Sequence, residues 1–330
     1  MKKTFSLVLC ACISLISVAQ YNSQNLTIKQ DQTVQFTYKN LRLYPIYANQ
    51  VFLDVNKGLG KYTPLQLALE QKKVVVTETG GTASNVQRSV NQSQQSAGSG
   101  ATVNTLFIEN ISSDTIMIMA GEVVRGGQQD RMLAVDMILP PNSGKKDISV
   151  FCVEHGRWTS STPGNTFNGY SKVSCNSVRK QAVVDKSQQG VWSEVADVTG
   201  KNGATTGTGT YTALDTSTKY NEELKGHIEF FKAAMQTQGN VIGVVACTGD
   251  SVIGCDLFAT PEMFAMYFDN LLNSYAADAI SNGTTAKTEF ATVQNFLDKF
   301  LTDESQQEAV VEKKGSILKS NGKKVHMSKF

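Results

Sequence analysis

Histidine is scarce in this chain, three in 330 residues, and no stretch carries a block of one charge sign. His227 and His326 are isolated, and Cys152 with His155 lacks a second pair at ligand spacing, so no metal site is expected. Lys and Arg number 31 against 29 Asp and Glu, and two of the basic residues are Lys2 and Lys3. A chain this near neutrality has no electrostatic footprint for nucleic acid or an anionic membrane. The N-terminal apolar run is shorter than the ~20 residues that span a bilayer, and no later stretch is apolar enough, so no transmembrane anchor is expected. Phosphate-loop spacing is missing too. Gly126-Gly127 is not followed by Lys-Ser/Thr opening a helix, and Gly200 to Gly209 lacks the strand–helix context. No internal repeat is visible.

What is present begins at the N-terminus. Lys2 and Lys3 precede an apolar run from Phe5 to Val18, and Ser17, Val18 and Ala19 make a small-residue exit before Gln20. That order reads as a secretory signal over residues 1–19, leaving an exported chain, secreted or periplasmic. Leu9-Cys10-Ala11-Cys12 loosely resembles a lipoprotein box, but the apolar run continues well past Cys12. Residues 20–330 suffice for a sizeable core. Four cysteines remain, Cys152, Cys175, Cys247 and Cys255, which allow three pairings or free thiols; a core this large does not need bridges. A two-residue turn at Gly249-Asp250 would place Val252, not Cys255, opposite Cys247.

Alternation at Leu26, Ile28, Val34, Phe36 and Tyr38 predicts early strands. The densest strand region follows: Val103 to Ile111, Thr115 to Val124, Arg131 to Leu139, and Ile148 to Glu154, the last apolar on both faces and hence central. The later chain turns helical, at Thr218 to Gln236, after the Thr260-Pro261 cap, and around Phe290 to Leu301. A closing hairpin turns at Asn321-Gly322. Strands early and helices late, without regular alternation, predict an α+β fold, a strand-rich N-terminal half packed with a helix-rich C-terminal half in one interlocked domain. Residues 82–102 and 199–212, rich in Ser, Gln, Gly and Thr and poor in large apolar groups, read as flexible loops. The lysine-rich tail, including Lys324, reads as a solvated edge.

The polar groups lie where strands end. Gly121-Glu122 closes one apolar strand. Arg125, Gln129, Asp130 and Arg131 lie in the connection that follows, and Glu154, Arg157 and Trp158 close another strand. Charges abutting apolar strands must be paired or ligand-facing. As a pocket, Arg125, Arg131 and Arg157 offer forks for phosphate or carboxylate, Gln129 and Asp130 hydrogen bonds, and Trp158 a stacking face. Glu154 or Glu122 is then the candidate acid/base. As a brace, the same carboxylates and guanidiniums pair with one another.

Gly121-Glu122, Gln129-Asp130-Arg131, and Cys152-Val153-Glu154 with Gly156-Arg157-Trp158 resemble the signature of an uncharacterised domain family. It is named for association with ADP-ribosylglycohydrolase and rhodanese-phosphatase proteins. Val191-Trp192 with Glu194, Asp256-Leu257-Phe258, Leu271-Leu272, Ser274-Tyr275 and Asp278-Ala279 resemble its later segments, so the likeness covers most of the chain. Asp130 stands where the family more often has Asn, and the two polar loops look like insertions. The resemblance implies no reaction, cofactor or catalytic residue; it directs attention to nucleotide-like or sugar-phosphate ligands. Three readings result: binding of a small anionic ligand, a hydrolase using Glu154 or Glu122 with arginines as charge stabilisers, and a structural or interaction protein braced by an internal salt-bridge network.

Overall fold

The computed structural model describes residues 19–79, 104–157 and 166–330. All but Ala19 of the signal read over residues 1–19, the loop read at 82–102 and Trp158 lie outside them. In chain order the strands are β1 Leu26–Thr27, β2 Thr37–Tyr38, β3 Leu41–Ala48, β4 Thr63–Pro64, β5 Val74–Glu78, β6 Thr105–Asn110, β7 Ile116–Ile118, β8 Glu122–Gly126, β9 Arg131–Leu133, β10 Met137–Leu139, β11 Gly144–Cys152, β12 Phe167–Val173, β13 Val241–Thr248, β14 Ser251–Phe258, β15 Gly315–Ser320 and β16 Lys323–Lys329. The helices are α1 Gln50–Asn56, α2 Leu65–Glu70, α3 Asn176–Val183, α4 Gln188–Lys201, α5 Thr218–Met235, α6 Pro261–Asn282, α7 Phe290–Phe300 and α8 Glu304–Lys314, with a 3₁₀ turn at Tyr211–Thr216. The fold is α+β, with strands concentrated early and helices late.

Three sheets carry these strands. The largest runs β1-β3-β13-β14-β16-β15, with β2 also on β3; a second runs β12-β8-β9-β11-β6-β5, and a small one β10-β7-β4. β3 therefore lies beside β13, so early and late chain share one sheet. Pleating sends alternate residues to opposite faces. Leu43, Val244, Ala246 and Phe258 face α6, while Tyr44, Ile46, Val245, Leu257 and Met327 face Phe52 of α1 and Val293, Leu297 and Phe300 of α7. A third core joins the other two sheets through Val76, Leu106, Ile108, Ile118, Val124, Leu133 and Val150.

Helix α6 is the inner pillar. The Thr260 hydroxyl accepts the Met263 N–H at 3.2 Å and Pro261 pre-sets the first turn. Phe264, Tyr267, Phe268, Leu271, Leu272 and Tyr275 are all buried. Burying each such side chain contributes roughly 1.5–3 kcal/mol, so the helix is held by its surroundings more than by its own propensity.

Several expectations change in detail. The stretch Thr115 to Val124 breaks into β7 and β8 at Gly121, whose φ is +101°. There Arg179 Cγ lies 2.6 Å from where a Cβ would sit, so the buried guanidinium stem occupies the missing side chain's place. Arg131 to Leu139 likewise splits, because Asp136 turns inward and accepts the Ala120 N–H at 2.7 Å. Strand β11 is central, between β9 and β6, but Asp147 and Ser149 are exposed, so it is covered on both faces only near its C-terminal end. The glycine-rich stretch 199–212 is anchored at both ends. Its first residues finish α4, and the Tyr211 N–H donates to the Val153 carbonyl at 2.8 Å. Lys324 is not a solvated edge residue. It is 1% exposed on an inner strand, and its ammonium donates to Gln307 and pairs with Glu304, both at 2.8 Å. In the β13–β14 hairpin Val252 faces Cys247; Cys175, Cys247 and Cys255 are free thiols, and all three are buried, as is Cys152. The Asn321-Gly322 turn joins β15 to β16 with both residues at positive φ.

Candidate functional site

The predicted pocket residues separate into three places. The first is a corner where the β8–β9 turn meets the ends of β5 and β11. The turn needs Gly126 and Gly127 at positive φ, and a Cβ on Gly127 would run into the Phe167 ring and Glu78 Oε1. Its amides point at carboxylates. The Gly126 N–H donates to Asp130 Oδ1 at 3.1 Å, the Gln128 N–H to Glu78 Oε1 at 3.0 Å, and the Asp130 N–H to Glu154 Oε2 at 3.1 Å. Arg157 closes this set from β11's exit, with Nε 2.8 Å from Glu154 Oε2, Nη2 3.0 Å from Asp130 Oδ1 and Nη1 on the Gly127 carbonyl at 3.1 Å. The Thr210 and Thr212 hydroxyls donate to Asp130 Oδ2, which is why the glycine-rich stretch docks here. Asp130, Glu154 and Arg157 thus satisfy one another.

Arg131 does not share in that closure. Its side chain is buried, and Nη1 donates to Gln129 Oε1 at 2.9 Å. Gln129 in turn donates to the His155 carbonyl at 3.3 Å. Nη2 stands 3.9 Å from Glu78 Oε1, and neither Nε nor Nη2 has a hydrogen-bond acceptor among the described residues. Those two nitrogens form one edge of the guanidinium plane, the edge that takes a carboxylate or phosphate with two parallel bonds. The turn's Gln128 Oε1 is also buried without a donor among the described residues. Buried polar groups are nearly always satisfied, so three orphaned atoms on one short turn and the residue that follows it need a reason.

The second place holds Glu122, at the far end of β8. Its carboxyl accepts the Met119 N–H at 2.7 Å and the Tyr170 hydroxyl at 3.0 Å. Burial pushes its pKa up to about 8 despite those two bonds, so it carries a proton at neutral pH. Arg125 is in the third. It is half-exposed, 3.7 Å from Asp215, on the outer surface with Lys172. The structure therefore brings Gln129, Asp130, Arg131, Glu154 and Arg157 together and leaves Glu122 and Arg125 apart.

A further cluster escaped the sequence reading. Asp136, Asp256, Arg179, His326 and Tyr275 are gathered where the large sheet, α3 and α6 meet. His326 Nδ1 lies 3.0 Å from Asp136 Oδ2, and Nε2 lies 3.0 Å from Asp256 Oδ1. Arg179 forks onto Asp256 at 2.9 and 3.2 Å, and Tyr275 donates to the same carboxylate. Burial opposes the imidazolium, but Asp136 and Asp256 more than offset this and raise the His326 pKa to about 9. Asp256, resisted by burial, is held well below the usual carboxylate range by Arg179 and His326. Two acids and two cations balance. With a carboxylate on each nitrogen His326 has no free lone pair to act as a base, and the nearby Ser316 hydroxyl bonds Asp136 at 2.7 Å rather than the imidazole. The signal for this cluster was an aspartate between two apolar residues of a core strand, Cys255-Asp256-Leu257.

No curated protein and no solved structure matches the chain. The corner and the buried network both fall within residues 30–329, which match the ARG and Rhodanese-Phosphatase-superfamily-associated Protein domain, ARPP-1, and the chain belongs to that family.

Proposed function

We propose that this chain binds a small sugar-phosphate or nucleotide-like ligand at the Arg131 corner. The observation that carries the reading is the Nε–Nη2 edge of a fully buried arginine, which has no hydrogen-bond acceptor among the described residues. A ligand oxyanion takes that edge with two bonds. Glu78, Asp130 and Glu154 outnumber Arg131 and Arg157 here, so the ligand must also bring donors; sugar hydroxyls serve Gln128 Oε1 and Glu78. Calorimetry and thermal melting with ribose 5-phosphate and pyrophosphate test the reading. Arg131→Lys keeps the charge and loses the fork, and it is expected to abolish binding. Absence of any heat or melting shift for wild type with either ligand overturns it.

The bracing reading keeps one specific support, the closed Asp130–Glu154–Arg157 set. It predicts that removing Arg157 destabilises the chain whether or not a ligand is present.

Export belongs to the same proposal, supported by Lys2, Lys3 and the run to Val18. Cleavage after Ala19 leaves Gln20 first. Its side-chain amide donates to the Lys324 carbonyl at 2.9 Å and accepts the Lys324 N–H at 2.8 Å, which withholds it from cyclisation. Intact mass of the exported protein is expected to show an uncyclised Gln20 terminus; a lipidated Cys12 refutes it.

A further inference from the structure

Helix α5 buries a histidine whose ring is only half satisfied. His227 is 1% exposed, and its Nδ1 lies 2.8 Å from the carbonyl of Glu223, one turn back on the same helix. A carbonyl only accepts, so Nδ1 holds the proton and Nε2 is the bare nitrogen. Nε2 is buried with no hydrogen-bond partner among the described residues. The tip of the β2–β3 turn packs on this ring. Tyr38 meets the imidazole at 90°, centroids 4.9 Å apart, and stacks on Phe230 at 5.0 Å. Gly226 permits the approach, since a Cβ there would sit 2.9 Å from the Tyr38 hydroxyl oxygen.

A neutral imidazole fits this place and an imidazolium does not. Protonation would put a second N–H on Nε2, buried and without an acceptor. Lys39, next to Tyr38, adds a cation, and it engages the Glu223 carboxylate at 2.6 Å, the one acid near enough to answer the new charge. Helix α6, packed along α5, brings Asp269 and Asp278, but Lys232 holds the first at 2.6 Å and Ser177 the second at 2.8 Å. Asp215 of the 3₁₀ turn lies with Arg125 and Lys172. On α5 itself Lys219, Glu222, Lys225 and Glu229 are exposed. Burial holds the imidazole below its usual pKa and Lys39 adds to this, against the Glu223 carbonyl and carboxylate. The stability gained by keeping His227 neutral is complete above about pH 6.5 and is lost as pH falls below it. Glu122 and His326, with raised pKa values, act with the opposite sign. The depressed carboxylates Asp136, Asp256 and Glu223 give way only below about pH 4.5. Phe36 is fully buried and its carbonyl accepts the Leu43 N–H at 2.9 Å, so the rest of the turn stays in place when the tip opens.

We propose that His227 is an acid-sensitive latch, whose protonation below about pH 6 releases the Tyr38–Lys39 tip from α5 and uncovers the Tyr38 and Phe230 rings. Hydrogen exchange of the full mature chain, read by mass spectrometry over residues 36–43 and 220–231 and corrected for intrinsic rates, tests it beside an NMR titration of the imidazole. Between pH 7 and pH 5 exchange in both segments should rise by up to about 30-fold, the factor for 1.5 pH units below the unshifted pKa, while β13 and β14 stay protected. His227→Gln, neutral at every pH, should remove the rise. Lys39→Met, at an exposed residue, takes away the repelling cation and frees the Glu223 carboxylate. It should raise the His227 midpoint and shrink the rise, whereas a merely structural turn would leave the midpoint unmoved; should His227→Gln fail to fold, this variant decides. The inference is overturned by exchange at the tip that does not respond to acid, by the same rise in His227→Gln, by a His227 midpoint at or above 6.5, by a midpoint that Lys39→Met leaves unchanged, or by a rise spread over β13 and β14 as well, which would be global unfolding.

Discussion

His326 should make the protein lose stability as pH rises from about 6 to about 9. The imidazolium is held between Asp136, from the β9–β10 connection, and Asp256 of β14, with Arg179 of α3, Tyr275 of α6 and Ser316 of β15 packed around them. Its folded pKa of about 9 lies above the unfolded 6.5. The bonus is therefore fully present below about pH 6.5 and is lost as pH climbs through 9. Two and a half pKa units correspond to about 3 kcal/mol. Glu122, raised from 4.5 to about 8, adds a loss of the same sign, beginning nearer pH 4.5 and complete just above 8. Melting across the range should show Tm falling by about 5 °C or more between about pH 6 and pH 9. Glu122→Gln should remove the earlier part of the slope and leave the later part. His326→Gln should flatten the later part and, by leaving Asp136 without its cation, cost about 3–5 kcal/mol near pH 6. A wild-type Tm equal at both ends of the range, or a His326→Gln variant that keeps the full late slope, would refute the charged-network account.

Three other outcomes are expected. Arg157→Ala strands the Asp130 and Glu154 carboxylates; because the guanidinium is 29% exposed, the cost should be about 2–3 kcal/mol, below that of a fully buried pair, and unchanged melting would contradict the pairing. Gly127→Ala forces a left-handed φ of +54° on a residue whose Cβ meets Phe167 and Glu78; about 2 kcal/mol or more should be lost in denaturant unfolding, whereas Gly207→Ala, with open space, should be near neutral. Cys175, Cys247 and Cys255 should not react with a thiol reagent in the native protein and should all react in denaturant, since all three are buried and burial pushes the Cys247 thiol up to about 12; rapid native labelling would show that one of them is open.

The fold class was legible because it rests on periodicity. Strands β6, β11, β13 and β14, the helices α5 and α6, and the Asn321-Gly322 hairpin all follow from alternation, caps and turn chemistry. Helices α3 and α8 were not legible, since α3 carries few large apolar groups and α8 has almost no apolar stripe. Of the site, the rule that charges beside apolar strands must find partners led to Gln129, Asp130, Arg131, Glu154 and Arg157. It could not say that Glu122 and Arg125 would point elsewhere, because the break at Gly121 depends on Arg179 arriving from α3. The His326 network was invisible for the same reason. Its members come from five separate elements, and only tertiary structure brings them within hydrogen-bond reach.

The order of strands in the largest sheet has a consequence for how the chain acquires its shape. β3 ends at Ala48, yet its partner β13 begins only at Val241, and β16, which ends at Lys329, slots between β14 and β15. Closing so long a loop costs little in equilibrium terms, because the entropy grows only with the logarithm of its length. It costs time instead: such non-local pairing folds slowly. A nascent chain leaves the β13-facing edge of Leu43, Tyr44 and Ile46 uncovered until about three-quarters of the polypeptide has emerged, so that edge stays open to chaperones and proteases for most of its synthesis.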